Sequence, residues 1–88
     1  MLDMSALPNL APTVVIRAAR GSDGPALRRL AALDSSVLPD GRLLVAETGD
    51  EVVAALSVDT GAKVADPFRR TADVVDLLEF RAAHLRAA

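Results

Sequence analysis

The sequence predicts an α/β fold of the α+β type, in which about four short strands form a mostly antiparallel sheet with two helices, in the order β-α-β-β-β-α. Two observations predict this fold. Two apolar runs, residues 42–48 and 51–59, flank a Gly-Asp dipeptide that is typical of a hairpin turn. Two other segments, residues 26–33 and 72–86, repeat apolar side chains at the spacing of one helix face. The hairpin therefore supplies the middle of the sheet, and the periodic segments supply the helices.

Composition limits the chain to one globular domain and a short extension. The chain has 88 residues, of which 51% are hydrophobic, so we expect one modest core over residues 13–88. Residues 1–12 read as an N-terminal extension, with mobility as the favoured interpretation. The formal net charge of −2 argues against a general affinity for nucleic acid or an anionic membrane surface. There is no cysteine and no apolar run of bilayer-spanning length, so we expect a cytoplasmic protein.

The first strand and first helix follow from local signals near the start of the domain. Thr13–Arg17 is a β-branched run, which favours a strand. Ser22 and Asp23 are suitable N-caps for the following helix, with Pro25 in its first turn, where a missing N–H costs little. Asp34 falls inside the apolar arc at the end of this helix. It either accepts N–H bonds from the loop or acts as a buried general base, and the sequence offers no partner for the second role.

The two hairpin strands are apolar on both of their faces. Strict alternation divides the second of them into two sets. The sets are Val52, Ala54, Leu56 and Val58 on one face, and Val53, Ala55 and Ser57 on the other. Strands that are buried on both faces need a covering layer on each side. Two helices are few for two sheet faces, so we expect uncovered apolar surface and a partner that covers it.

The last helix carries a second apolar patch. A short fourth strand, Lys63–Ala65, leads through a basic turn into this helix, at about residues 72–86. The stripe expected to face the core contains Val74, Val75, Leu78, Ala82 and Leu85. Leu77 and Phe80 lie well round the helix from this stripe, close to His84. Such a patch on a terminal helix is more often a protein contact than a ligand site, so we predict that Leu77 and Phe80 form an interface.

Three local patterns, in this order along the chain, carry a family resemblance. They are Val-Ile-Arg-Ala-Ala at 15–19 with Asp23 and Ala-Leu-Arg-Arg-Leu at 26–30, then Leu-Val-Ala-Glu at 44–47 with residues 51–57, then Asp-Pro-Phe-Arg-Arg at 66–70. Together they resemble the opening strand and helix, the central hairpin, and the turn before the cofactor-binding helix of the GNAT superfamily of N-acetyltransferases. The resemblance covers the amino-terminal half of that fold, across about residues 13–86.

The resemblance implies an acetyl-CoA site at the start of the last helix. In that family, a loop of the pattern R/Q-x-x-G-x-G/A enters this helix and binds the pyrophosphate through backbone N–H groups. Arg69 fills the first position of the pattern, and Arg70 and Thr71 follow it. These three residues are therefore the candidate cofactor-binding residues.

Departures from the family pattern argue against acetyl transfer. The two glycine positions hold Ala72 and Val74, whose Cβ atoms obstruct a close approach of phosphate. Asp73 lies between them, and its charge acts against a nearby anion by on the order of 1–4 kcal/mol. The chain contains no tyrosine, which is often the general acid of the family. The resemblance is thus to a truncated, degenerate module with no catalytic residue and no expected cofactor.

We therefore expect a module without catalysis that forms a homodimer or binds a protein partner, with its biological role open. The alternative is an N-acetyltransferase or acyl-CoA-binding protein whose cleft is completed by a second copy or another subunit. No metal site is predicted, because His84 is the only histidine and the acidic residues near it form no ligand cluster. A role as a nucleic-acid regulator is disfavoured by the acidic balance and the scarcity of aromatic residues.

Overall fold

The computed structural model describes residues 13–87 and shows one four-stranded sheet with two α-helices, an α+β fold in the predicted order. The strands are antiparallel and lie in sequence order across the sheet. The elements are β1 (Val14–Ala18), α1 (Gly24–Leu33), β2 (Leu43–Thr48), β3 (Glu51–Ser57), β4 (Lys63–Ala65) and α2 (Ala72–Ala87), with a 3₁₀ turn (Gly21–Asp23) before α1. The predicted bounds of the strands and of the last helix differ from these by no more than two residues. The predicted extension, residues 1–12, lies outside the described residues.

A two-residue turn joins β2 and β3, as the sequence predicts. Gly49 and Asp50 have positive φ angles of 54° and 69°. This backbone is that of the type I′ turn, whose twist matches the twist of the strands it connects. Glycine and aspartate adopt it more readily than most residues, so the dipeptide sets the register of the hairpin.

A β-bulge in β3 interrupts the alternation of side chains that the sequence predicts. Ala46 pairs with Ala54, but the next residue of β2 pairs with Val52, so Val53 is an extra residue on β3. Val53 packs with Ala54 on the α2 side of the sheet, whereas Val52 packs on the α1 side. The prediction that Val52 and Ala54 share a face is therefore wrong. Both faces are apolar, so the hydrophobic pattern carries no mark of the extra residue.

One helix packs on each face of the sheet. α2 packs on β1, β2 and β3, and α1 packs on β3 and β4. The buried residues of the α2 layer include Leu44, Ala46, Leu56, Val74, Leu78 and Ala82. Those of the α1 layer are Leu27, Leu30, Ala31, Val45, Val52, Ala55 and Val64. The expectation of uncovered apolar surface holds in part for residues 13–87: α1 packs on β3 and β4 only, and Val15 of β1, which alternation places on the same face, is 45% exposed.

Leu85 does not join the core stripe that was predicted for α2. The other members of that stripe are buried or partly buried, but Leu85 is 42% exposed. It lies in the last turn, where the Arg86 guanidinium donates a hydrogen bond to the carbonyl of Val58 just beyond β3 (2.8 Å). The helix therefore reaches the end of the sheet before Leu85 can be covered.

Asp23 fastens the start of α1 to the sheet, instead of capping the helix with its side chain. Its carboxylate accepts a hydrogen bond from the Arg20 N–H (2.6 Å) and two from the Arg17 guanidinium (2.8 and 2.9 Å). Arg17 also donates to Glu47 of β2 (3.3 Å). Mainly through the Arg17 hydrogen bond, the pKa of Asp23 falls to about 2.

α1 ends in a Schellman motif that positions Asp34. Ser35 has a φ of 51°, and the N–H groups of Ser35 and Ser36 donate to carbonyls in the last turns of α1 (3.1 and 2.9 Å). The carboxylate of Asp34 then accepts the N–H of Ala65 on the outer edge of β4 (3.1 Å). The predicted role as an N–H acceptor is confirmed, with an edge strand as the donor in place of a loop.

Candidate functional site

An open cleft lies where β4 ends and α2 begins. It has a volume of about 570 Å³ and is walled by the end of α1, the turn at residues 66–71 and the first residues of α2. The polar residues on its walls are Asp34, Asp66, Arg69, Arg70, Thr71 and Asp73. A smaller cleft of about 320 Å³ lies beside it and is also lined by Arg69 and Arg70. The three predicted cofactor-binding residues, which are consecutive in the chain, all line the larger cleft.

The buried residue Asp66 fixes the turn that carries these arginines. Its N–H donates to the carbonyl of Val53 (2.9 Å), which attaches the turn to β3. Its carboxylate accepts the N–H of Phe68 (2.9 Å), and its carbonyl accepts the N–H of Arg69 at 3.3 Å. These bonds form an Asx-type turn, the local structure that an Asp-Pro sequence favours.

The start of α2 has the backbone arrangement of an anion site. The carbonyl of Thr71 accepts the N–H of Val75 (2.8 Å), so the helical hydrogen bonds begin there. Within residues 13–87, no oxygen accepts the N–H groups of Ala72, Asp73 or Val74. Free N–H groups and the helix dipole both favour a negative charge at this end.

The side chains around the start of α2, by contrast, disfavour the binding of an anion. The guanidinium of Arg69 is ion-paired with Glu51 and also lies 3.6 Å from the carboxylate of Asp66. Arg69 therefore has two carboxylate partners and offers little net attraction to a phosphate. Arg70 forms no ion pair with any residue in the described part of the chain.

Carboxylates outnumber guanidinium groups on the walls of the larger cleft. Asp34, Asp66 and Asp73 lie there with Arg69 and Arg70. An anionic ligand would therefore enter a site with an excess of negative charge, where each like-charge contact acts against binding.

Packing adds a second obstacle at the positions that glycine holds in the family pattern. Val74 belongs to the core of the α2 layer and is only 8% exposed. Its side chain is needed to fill the space between α2 and the sheet, so this position cannot become glycine without a cavity. Ala72 is exposed and carries no such constraint.

The outer face of α2 presents the second candidate surface. Leu77 is 50% exposed and Phe80 is 66% exposed, whereas the neighbouring Leu78 is fully buried. The Phe80 ring packs against the imidazole of His84, with 4.9 Å between ring centroids and 49° between ring planes. The two predicted interface residues thus lie on one helix face and form a continuous apolar and aromatic surface.

Polar residues continue this face in both directions. Asp73, Leu77, Phe80 and His84 follow one another at i, i+4, i+7 and i+11, the spacing of a single helix stripe. We call these four residues the outer stripe. Within residues 13–87, Asp73 and His84 have no ion-pair or hydrogen-bond partner. By contrast, Glu79 of the same helix pairs with Lys63 of β4 (2.6 Å).

Sequence reasoning did not identify two partners that decide the charge of the cleft. Glu51 is eighteen positions from Arg69, and only the fold brings these two side chains together. The role of Asp66 could have been predicted from the sequence, because an Asp before Pro favours a turn in which the Asp side chain accepts a backbone N–H. The outer stripe is readable from spacing alone, although its polar ends were not included in the predicted interface.

The described part of the chain contains neither a cluster of metal ligands nor a helix that could span a membrane. No group of three or more His, Asp or Glu side chains lies close enough together to hold a metal ion. No helix there has both the length and the apolar character needed to cross a bilayer.

Comparison of the chain with protein-family models, with curated proteins and with solved structures gives no significant match.

Proposed function

We propose that this chain is a protein-association module without catalysis, and that the outer stripe of α2 is its docking face. The observation that carries the proposal is the contrast along one helix. Leu78 is fully buried against the sheet, while Leu77 and Phe80 are half or more exposed on another face of the helix. A helix with one face in the core and a second apolar face in solvent is typical of helices that bind another protein.

The energetics favour a covered stripe. Full burial of a leucine or phenylalanine side chain contributes about 1.5–3 kcal/mol. The packing of Phe80 on His84 restricts both rings before a partner arrives, so less side-chain entropy is lost on binding. The outer stripe therefore offers a small, partly preorganised contact.

An acyl-CoA site at the start of α2 is the second candidate. It is favoured by the free N–H groups of α2 and by the cleft beside Arg70. It is disfavoured by the pairing of Arg69 with two carboxylates and by the presence of Asp73 on the cleft wall. We rank it below association for this reason. Descent from a GNAT-like domain and a cytoplasmic location belong to the proposal as well, and both rest on the sequence alone.

Site-specific photocrosslinking in cells of the source organism tests the docking face without assuming an occupant. A photoreactive amino acid replaces Phe80 in one variant and Phe68 in a matched control. Phe68 is a suitable control, because it is an aromatic residue that is 81% exposed and lies outside α2. We expect covalent adducts from position 80 and few from position 68. Equal labelling at both positions, or none at position 80, would contradict the proposed docking face.

A further inference from the structure

We propose that the occupant of the docking face is a second copy of this chain, with the two α2 helices antiparallel. This inference rests on the proposed function and adds the identity and orientation of the partner. The geometry points to this arrangement through the order of side-chain types along the outer stripe. From Asp73 to His84 the order is acidic, apolar, apolar, basic.

The spacing of the stripe is unchanged when its direction is reversed. The intervals between successive members are four, three and four residues. A twofold axis perpendicular to the helix, between Leu77 and Phe80, therefore superimposes the stripe on a reversed copy of itself. In that arrangement Leu77 meets Phe80 of the second copy, and Asp73 meets His84 of the second copy, twice per dimer.

These contacts would satisfy the polar groups that the single chain leaves without a partner. Asp73 is an acceptor and His84 a donor, and neither has a hydrogen-bond or ion-pair partner within residues 13–87. The helix dipoles add to the preference, because each N-terminal end lies beside the C-terminal end of the other α2. The stripe is thus complementary to a reversed copy of itself in spacing and in charge.

A parallel arrangement would use the same surface less favourably. It would place Asp73 against Asp73 and His84 against His84 of the second copy. It would also bring Asp76 close to Arg81 of the second copy on the flanks of the stripe, as in parallel coiled coils. Exposed flanking pairs contribute only about 0.2–1 kcal/mol each, whereas like charges within a covered contact cost more. The antiparallel arrangement is therefore the one that we infer.

Charge exchange separates the two orientations. We would measure the dimer dissociation constant by sedimentation equilibrium for the wild type, D73R, H84D and the double variant D73R/H84D. In the antiparallel dimer each single variant sets donor against donor or acid against acid, and we expect the dissociation constant to rise about tenfold or more. The double variant restores an opposite-charge contact at both ends, so its dissociation constant should return to within a few-fold of the wild-type value.

Two controls accompany this series. D76R changes an exposed acid beside the stripe, and it should leave the antiparallel dimer within a few-fold of the wild type, whereas a parallel dimer would be weakened. Circular dichroism melts of every variant show that the fold is retained, since reversing charges near helix ends alters helix stability as well.

The results distinguish this inference from the function on which it rests. A double variant that associates no better than D73R and H84D would overturn the antiparallel arrangement. A monomeric wild type would overturn the second copy as occupant. If a monomeric wild type still crosslinks to a different protein through position 80, the docking face stands and only this inference falls. If position 80 gives no adducts either, both are wrong.

Discussion

Phe80 packs against His84 one turn later on the open side of α2, with their ring centroids 4.9 Å apart. A tilted contact of this kind is a favourable arrangement for aromatic rings, and it holds both side chains in place. It joins the apolar middle of the outer stripe to its basic end. Phe80 and His84 therefore form one continuous surface instead of two separate exposed side chains. Binding of a partner is the simplest physical explanation for such a surface.

The two faces of α2 predict opposite effects for adjacent leucines. Leu78→Ala should lower the free energy of unfolding by about 2–5 kcal/mol, because it leaves a cavity beneath a fully buried side chain. Leu77→Ala is the matched control and should cost much less, since Leu77 is half exposed. Urea unfolding of both variants under conditions that keep the chain monomeric provides the measurement. Equal destabilisation would show that the faces of α2 are wrongly assigned.

The Arg17–Asp23 pair predicts a loss of stability in acid. The pKa of Asp23 is lowered from 3.8 to about 2, so the folded state favours the carboxylate. Its contribution is complete above pH 3.8 and is lost as the pH falls towards 2. Asp23→Asn should cost about 1–3 kcal/mol near neutral pH, and the difference from the wild type should shrink over that acid range. Unfolding curves at each pH, with exposed Asp40→Asn as control, test this; a constant difference would refute it.

The Schellman motif at the end of α1 predicts a stabilising substitution. Ser35 has a positive φ of 51°, a conformation that glycine adopts without the steric cost that a Cβ atom imposes. Ser35→Gly should therefore raise the free energy of unfolding by up to about 1 kcal/mol. The same change at Ser36 is the control and should stabilise less or destabilise. Thermal unfolding compares them, and a destabilised Ser35→Gly would mean that the turn is not as described.

The charge of the cleft predicts no productive binding of acetyl-CoA. Isothermal titration calorimetry of the wild type should give no binding heat, because Arg69 is paired with Glu51 and Asp66 and because Asp73 lies on the cleft wall. Glu51→Gln combined with Asp73→Asn removes two negative charges and should introduce weak affinity. A micromolar dissociation constant in the wild type, abolished by Arg69→Ala, would instead move the acyl-CoA hypothesis to first place.

Local signals made the element order predictable from sequence. The hairpin dipeptide at 49–50 requires positive φ, and the helix segments repeat apolar residues at helical spacing, so each element is specified by neighbours in the chain. The outer stripe is predictable for the same reason, since Leu77 and Phe80 are displaced from the core arc by fixed angles. Their exposure in the structure agrees with that displacement.

Features that depend on distant residues were not predictable in this way. The extra residue Val53 changes which side chains share a face, and a strand with two apolar faces does not reveal it. The pairing of Arg69 with Glu51 depends on how the hairpin meets the turn before α2. How much of each sheet face is covered also depends on distant residues, because it is set by where the two helices pack on the sheet. Most of the sheet is covered, Val15 of β1 is left exposed, and the outer stripe is the second exposed apolar surface.

Sedimentation equilibrium of the wild type and two matched variants tests self-association through the outer stripe most directly. Phe80→Asp places a charge in the proposed contact, whereas Phe68→Asp places one at a more exposed aromatic residue outside α2. We predict a dimer for the wild type and for Phe68→Asp, and a monomer for Phe80→Asp. A wild type that stays monomeric at high concentration, or a Phe80→Asp variant as dimeric as Phe68→Asp, would contradict self-association through the outer stripe.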